Sequence, residues 1–206
     1  MSPTAPARPA ADTGRRSSRR ELILAAAMDL FHRDGYHATG MDDIGAAAGI
    51  SGPGVYRHFR SKEEILVIGL ERALAGALER ARAIVIGTDS SRRALEGLVA
   101  GFVEGLLADP WLSTVLMRER HALSPATRRR VERAEQSHVE EWVGALRRER
   151  PELGEAEARL MVRAGLWTCL SMTYHDGGLE PAREGEMLTR MVCAALLCDV
   201  GRVSAG

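Results

Sequence analysis

Apolar residues recur at intervals of three and four positions through most of the chain, and this spacing constrains the fold more than any other feature. Side chains at that interval lie on one face of an α-helix, whereas a half-buried strand needs strict alternation, which no segment sustains. Residues that favour helix ends interrupt the pattern, so we predict an all-α protein of about nine helices. The interruptions lie at Gly35, Gly49 and residues 87–91, 109–110, 124–125, 150–154 and 177–181.

Positive charge is concentrated near the amino terminus of a chain whose formal net charge is zero. Five arginines and one aspartate lie among the first 20 residues. Proline, alanine, serine and threonine are frequent there, so we predict a disordered basic leader over residues 1–17. Ser18 and Glu21 have the spacing of a capping box, which starts the first helix near Ser18. A nucleic-acid-binding chain without an overall positive charge needs such a local concentration.

Two short helical segments with a tight turn between them follow the first helix. They span about residues 41–48 and 51–59. Gly49 supplies the left-handed backbone that the turn needs, and Ser51 caps the second segment. This arrangement predicts a helix-turn-helix, a DNA-binding motif, within a domain over residues 18–64. Thr39 is the expected cap of the first segment, and its expected inner face consists of Ile44, Ala47 and Ala48.

An ordered set of residues spans the turn and both of its flanking helices. Its members are Gly35, Tyr36, Thr39, Asp43, Ile44, Ala48, Gly49, Ile50, Ser51, Tyr56, His58, Phe59, Ser61 and Lys62. In order and spacing the set resembles the start of TetR/AcrR-type transcriptional regulators, over about residues 18–70. The resemblance implies a homodimer that binds a double-stranded DNA operator, more commonly as a repressor. It also implies a helical ligand-binding and dimerisation domain that responds to a small-molecule effector.

The resemblance assigns DNA contacts to this segment. Hydroxyl and ammonium groups would contact phosphates, which positions a protein without reading sequence. At the start of the second short segment, called the tip below, two glycines flank a proline. We therefore expect this segment to recognise bases by close approach of its backbone to the DNA, by apolar contact of Pro53 or Val55 with thymine methyls, and by DNA shape. Leader arginines would add minor-groove or phosphate contacts. The expected DNA-binding residues are Arg19, Arg20, Thr39, Ser51, Gly52, Pro53, Gly54, Val55, Tyr56, Arg57, His58 and Lys62.

Several of these residues have a second interpretation. Tyr56 and His58 also suit core positions, and the arginines also suit a solvated tail. Phe59 is expected in the core. Gly45 stands where the family usually has alanine, and we expect it only to loosen the first short helix.

The remaining residues, 65–206, are expected to form the ligand-binding and dimerisation domain. Residues 187–200 are apolar on nearly every side, and one side of a core cannot cover such a helix. We therefore expect a homodimer through residues 155–203, with a four-helix bundle across the two-fold axis. A helix buried within its own chain is the alternative.

Large side chains distributed over several helices of this domain are candidates for lining a cavity. Cavities between helices are common ligand sites. A small apolar or amphipathic effector bound there would shift the dimer population toward a conformation in which the spacing of its two DNA-binding domains does not match the operator. Plain core packing is the alternative for each of these residues. The candidates are Phe102, Leu106, Trp111, Leu116, Arg120, Trp142, Trp167 and Tyr174.

Other functional classes are not indicated. The common catalytic and cofactor motifs are absent from the sequence, and the six histidines lack metal-ligand spacing, so neither an enzyme nor a cofactor is expected. The three cysteines lack paired spacing, which favours buried free thiols. No signal peptide is apparent and no apolar run reaches the ~18 residues of a membrane span, so we expect a cytoplasmic protein. A DNA-binding protein controlled by a protein partner is the rival to ligand control.

Overall fold

Eight α-helices and no strand are found in the residues that the computed structural model describes, which are 11–108, 114, 123–171 and 178–199. The prediction of an all-α fold is confirmed. Most of the segment between residues 109 and 122, where a further helix was expected, lies outside the described residues. The chain divides into two compact units, residues 1–69 and 70–206, and each is treated by itself below.

The first unit contains α1 (Ala11–Arg33), α2 (Met41–Ala47), α3 (Gly52–Val55) and the first two turns of α4 (Lys62–Ile86). Apolar residues of all four helices are withdrawn from solvent, as their helical spacing predicts. Phe59 lies in this core, as expected. The most deeply buried side chains of the unit are Ile23, Ala27, Phe31, Ile44, Val55, Phe59, Ile65 and Leu66.

Two expectations about helix starts in this unit are wrong. The first helix begins at Ala11 instead of near Ser18, because no proline after residue 9 interrupts a run that suits a helix. Gly40, not Thr39, is the residue before the first turn of α2, and the Asp43 carboxylate accepts a hydrogen bond from its N–H at 2.7 Å. The Thr39 hydroxyl instead donates to the carbonyl of Gly35 at 2.9 Å.

The second unit contains the rest of α4 together with α5 (Ser91–Ala108), α6 (Pro125–Glu149), α7 (Glu155–Leu170) and α8 (Pro181–Leu197). Helix α5 packs against α6 and α8, and α7 packs against both α6 and α8. The predicted breaks at residues 87–91, 124–125 and 150–154 are confirmed, with Ser91 and Pro125 as the first residues of α5 and α6. The centre of this core consists of Leu95, Leu98, Val99, Trp142, Ala145, Leu146, Val162, Cys169, Val192 and Leu196.

A buried arginine holds the end of α8 in place. The Arg150 guanidinium, at the end of α6, donates to the carbonyls of Leu196 and Cys198, where the last turn of α8 has no intrahelical partners. Its Nε donates to Glu152 at 2.8 Å. At the other packing seam, a methyl group on Gly165 would lie 3.0 Å from Val192, so α7 and α8 pack closely at that glycine.

Candidate nucleic-acid interface and effector cavity

The turn between α2 and α3 depends on two glycines. Gly49 has φ +67°, a left-handed conformation that glycine adopts without strain. A Cβ on Gly45 would lie 2.9 Å from backbone atoms of residues 50, 51 and 52, so α2 approaches the turn more closely than an alanine allows. The expectation that Gly45 only loosens the helix is therefore wrong. The inner face of α2 is formed by Ile44, Gly45 and the half-buried Ala48, whereas Ala47 is exposed.

Helix α3 is a single capped turn that continues as turn structure. The Ser51 hydroxyl accepts from the N–H of Gly54 at 3.3 Å, which confirms Ser51 as the cap. The α-helix ends at Val55, four residues before the predicted end. Beyond it, the N–H groups of His58 and Phe59 both donate to the carbonyl of Val55. The segment is therefore held as far as Phe59 without forming a longer regular helix.

Four of the residues predicted to contact DNA are exposed at this tip. They are Ser51, Pro53, Tyr56 and Arg57. The side chain of Tyr56 is 58% exposed, so its alternative placement in the core is wrong. Gly54 and His58 are half-buried. The tip therefore offers two hydroxyls, one guanidinium and an apolar ring to a partner.

Two residues predicted to read bases are buried instead. Val55 is 0% exposed because it lies on the inner side of α3, so its predicted contact with thymine methyls is excluded in this conformation. Gly52 is also buried, and a Cβ there would meet the Asp42 carboxylate at 1.8 Å. Its role is the close packing of α3 on α2.

Lys62 joins the start of α4 to the connection between α1 and α2. Its ammonium donates to the carbonyls of Tyr36 at 2.6 Å and Thr39 at 2.8 Å. It also lies 4.4 Å from the centre of the Tyr36 ring, a cation–π distance. Thr39 is buried, with its hydroxyl bonded as described above. Both residues were predicted as phosphate contacts, and in this structure their polar groups bind the protein's own backbone.

Arg20 also binds the backbone of the first unit. Its guanidinium donates to the carbonyl of His58 and lies 4.2 Å from the centre of the Phe59 ring. Glu64 is 3.7 Å away and balances its charge. The interpretation of Arg20 as part of a solvated tail is therefore wrong, whereas Arg19 is exposed. Nothing in the sequence distinguished Arg20 from the other arginines near it, so these contacts could not be predicted.

A cavity of about 100 Å³ lies in the second unit between α4, α5 and α6. Phe102 and Leu106, two of the predicted ligand-binding residues, line it. Trp142 is fully buried behind them, with its ring centre 5.9 Å from that of Phe102. Four other predicted residues, Trp111, Leu116, Arg120 and Tyr174, lie outside the described residues.

His138 lines the same cavity and was missed by the sequence analysis. The indole N–H of Trp142 donates to its Nε2 at 3.1 Å. Burial, with a smaller contribution from the charge of Arg80, lowers the pKa of His138 to about 4, so the ring is neutral near pH 7. The signal in the sequence was the spacing, because His138 lies one helical turn before Trp142.

The exposed apolar surface of the second unit lies on α7 and α8. Trp167 is 59% exposed, which corrects its assignment to the ligand cavity. Leu160 lies two turns before it on α7, and Met187 and Met191 are exposed on α8. Residues 187–199 are incompletely covered by their own chain, so the alternative of a helix buried within the chain is wrong, whereas the homodimer stays a prediction. Cys198 is exposed, so the expectation of three buried thiols is also wrong.

Within the described parts of the chain, no group of three or more histidine, cysteine or acidic side chains could hold a metal ion. No described helix has the length and apolar character that crossing a membrane requires.

Comparisons with known proteins agree with the geometry of the first unit. Residues 23–67 match the family model of bacterial regulatory proteins of the tetR family. The transcriptional activator FasR of Mycolicibacterium smegmatis is 37% identical over 89 residues, 43% of this chain and 41% of FasR. The transcriptional repressor KstR2 of Rhodococcus jostii is 39% identical over 98 residues, 48% of each chain. The chain thus spans less than half the length of these relatives.

Solved structures extend the likeness to most of the chain. The TetR-family regulator PfmR of Thermus thermophilus has a TM-score of 0.73 at 26% identity, over 84% of this chain and 96% of PfmR. The ketosteroid transcriptional regulator KstR2 of Mycobacterium tuberculosis has a TM-score of 0.71 at 27% identity, over 85% and 93% of the two chains. Both the amino-terminal match and the likeness in fold make this chain similar to bacterial regulatory proteins of the tetR family.

Proposed function

We propose that this protein is a DNA-binding transcriptional regulator, a repressor that a small-molecule effector releases from a palindromic operator. It works in the cytoplasm and needs no cofactor. The observation that carries the proposal is the exposed tip formed by Ser51, Pro53, Tyr56 and Arg57 on a rigidly braced helix-turn-helix. A regulator needs such a surface to be both accessible and fixed in shape, because each contact fails if its donor is misplaced.

The exposed side chains divide into two kinds of contact. Ser51 and Tyr56 carry hydroxyls, which donate to phosphate oxygens and fix the register on the duplex. Arg57 carries a guanidinium that suits a phosphate or the edge of a guanine. Pro53 presents an apolar ring, which suits a thymine methyl group. Arg19, Gly54 and the half-buried His58 flank this surface and would contact the DNA backbone.

The buried and half-buried members of the predicted set would act by positioning the exposed residues. Lys62 and Thr39 hold the connection before α2, and Arg20 holds the backbone at His58. Gly52 and Val55 set the distance between α3 and α2. Substitutions there would weaken operator binding by moving the tip, without removing a contact with DNA.

Operator binding by variants tests this division. Tyr56→Ala and Arg57→Ala should each weaken binding in fluorescence anisotropy, and Arg57→Ala should reduce the slope of log affinity against log salt by about 1.8 if each of the dimer's two Arg57 side chains contacts one phosphate. Arg92→Ala is the matched control, since Arg92 is exposed and its partner, Glu96, lies one turn away on the same helix of the second unit. Equal affinities for all three variants and the wild type would exclude the tip as the DNA-binding surface.

A homodimer through α7 and α8 is the second part of the proposal. Leu160 and Trp167 on one helix and Met187 and Met191 on the other are exposed, and the two helices pack against each other. Exposed apolar surface is unfavourable in water, and a second surface that covers it removes that cost. A two-fold axis would pair these two helices with those of a second copy in a four-helix bundle. The two helix-turn-helix motifs of such a dimer, about 34–36 Å apart, would match successive major grooves on one side of the duplex.

Light scattering tests the dimer. Ala195 is exposed on α8, and Ala195→Arg should give monomers, because an arginine there would be buried without a partner charge. Ala83→Arg, at an exposed position on α4, is the matched control and should leave the dimer intact. A dimeric Ala195→Arg variant would require another interface.

Control by a small apolar or amphipathic effector is the third part. Its support is the cavity lined by Phe102 and Leu106, with its wall formed in part by small residues of α4 and α5. A compound that binds the folded protein raises its unfolding midpoint, so a screen of metabolite mixtures should find stabilising compounds that also lower operator affinity. Failure of all compounds, with stabilisation by a purified protein partner, would favour the rival mode of control.

The sign of regulation follows from a reporter assay. Relatives of both kinds exist, since KstR2 is named a repressor and FasR an activator. We expect a promoter carrying the operator to become more active when this protein is deleted. Lower activity on deletion would identify an activator and would leave the DNA-binding proposal unchanged.

A further inference from the structure

Three glycines line the cavity in the second unit. Gly76 lies on α4, and Gly101 and Gly105 lie on α5, one turn apart. A methyl group on Gly105 would meet no atom nearer than a guanidinium nitrogen of Arg80, at 3.7 Å. Glycine lowers helix stability by about 1 kcal/mol relative to alanine, so glycines inside two helices are costly unless the space above them is used.

Arginine side chains lie at the exposed edge of this cavity. The two terminal nitrogens of Arg80 lie 3.3 Å and 3.7 Å from methyl groups built on Gly76 and Gly105, so the guanidinium spans both helices. Arg80 and Arg72 are exposed lining residues, whereas no acidic residue is found among the described residues that line the cavity. The Arg80 guanidinium at this edge therefore suits a negatively charged group.

The third polar group of the wall is a buried donor. Because His138 accepts the Trp142 N–H at Nε2, its neutral ring carries the proton on Nδ1. This Nδ1 is buried and has no acceptor among the described residues. An unpaired buried donor costs about 1–3 kcal/mol, and an acceptor atom entering the cavity would recover part of that cost after a small shift of the ring.

We propose that this cavity binds a short-chain carboxylate. One carboxylate oxygen accepts from the Arg80 guanidinium, the other accepts from His138 Nδ1–H, and the hydrocarbon chain lies against the glycines and Phe102. The size limits the chain, because a cavity of about 150 Å³ holds the six carbons of benzene and one of about 100 Å³ holds about four non-hydrogen atoms. The four carbons of butyrate fill that space, and its two oxygens lie at the polar wall. The proposal rests on effector control as proposed above and names the class of effector.

Butyrate is the probe, with butan-1-ol as its uncharged counterpart of similar size. Saturation-transfer NMR on the full chain should give a dissociation constant at least about tenfold lower for butyrate than for the alcohol, since a hydrogen bond to a charged group is lost. Arg80→Met should remove most of this preference. Arg92→Ala, which changes the net charge equally but lies outside the cavity lining, should retain it.

A cavity-filling variant keeps the test independent of charge. Gly105→Leu should abolish butyrate binding while leaving the fold intact, because leucine favours the helix and its side chain enters open space. Gly144→Leu is the matched control, since it lies in mid-helix on α6 outside this cavity and a methyl group there meets only Arg148, at 3.5 Å.

Three outcomes would overturn the assignment: equal binding of butyrate and butan-1-ol, unchanged butyrate binding by Gly105→Leu, or binding of butyryl-coenzyme A alone. Operator affinity is measured separately on the same preparations. A chain that binds its operator but not butyrate refutes only the carboxylate site, whereas a chain that binds butyrate but no duplex refutes only the proposed regulator.

Discussion

The largely buried, neutral ring of His138 leads us to predict a specific loss of stability in acid. Its pKa falls from 6.5 to about 4 mainly because burial disfavours the charged ring, with a further contribution from Arg80 that Glu141 partly opposes. As the pH falls below 6.5, the unfolded chain binds a proton at this residue while the folded chain does not. Stability from His138 is thus fully present above pH 6.5 and declines as the pH falls toward 4.

The magnitude follows from the two pKa values. Between pH 7.5 and pH 5, protonation of the unfolded chain at this one residue lowers the free energy of unfolding by about 2 kcal/mol. Carboxylates also titrate in acid, so the wild type alone cannot isolate the effect. The variant His138→Gln isolates it, because glutamine accepts the Trp142 N–H and does not titrate.

Urea unfolding followed by circular dichroism at the two pH values measures the difference. We expect the wild type to lose about 2 kcal/mol more than His138→Gln between pH 7.5 and pH 5. An NMR titration of the His138 ring protons provides a second measurement. Equal losses in the two proteins, or a His138 that titrates near pH 6.5, would refute the placement of this ring in the core.

Three further predictions concern the close contacts and the thiols. Gly45→Ala should weaken operator binding, because the added Cβ clashes with the backbone of residues 50–52. The unfolding midpoint should change little, because alanine also favours the helix by about 1 kcal/mol. Unchanged operator affinity in anisotropy would show that the turn tolerates the substitution. Lys62→Met should weaken operator binding and also lower the free energy of unfolding by about 1–3 kcal/mol, since two carbonyls lose a charged donor. A loss of operator affinity without a loss of stability would favour a direct phosphate contact instead. Iodoacetamide should modify Cys198 first and Cys169 last, because Cys198 is exposed and burial raises the pKa of Cys169 to about 12. Early modification of Cys169 in the folded protein, detected by mass spectrometry, would contradict this order.

The helical fold and the helix-turn-helix could be predicted because their signals are local. Gly49 and Ser51 determine the turn through their own backbone and side chain, and the structure places both as expected. The breaks near Pro125 and Gly154 are equally local. Such features depend on a few neighbouring residues, which the sequence displays directly.

Roles that depend on distant partners could not be predicted in the same way. The contacts of Arg20 with His58 and Phe59 join residues nearly 40 positions apart, and nothing near Arg20 distinguishes it from Arg19. Val55 was placed on the DNA side because its position on a helix of one turn is not fixed by periodicity. Gly45 was underestimated because the backbone that approaches it belongs to the following turn.

Selection of binding sites from a random duplex library tests the central claim most directly. The wild-type chain at low salt should enrich a near-palindrome whose half-sites are centred about one helical turn apart, or a multiple of it. Tyr56→Ala and Arg57→Ala should lose that enrichment while the Arg92→Ala control retains it. Recovery of no sequence by the folded wild type, or of the same sequence by all four proteins, would contradict the claim that this tip reads DNA.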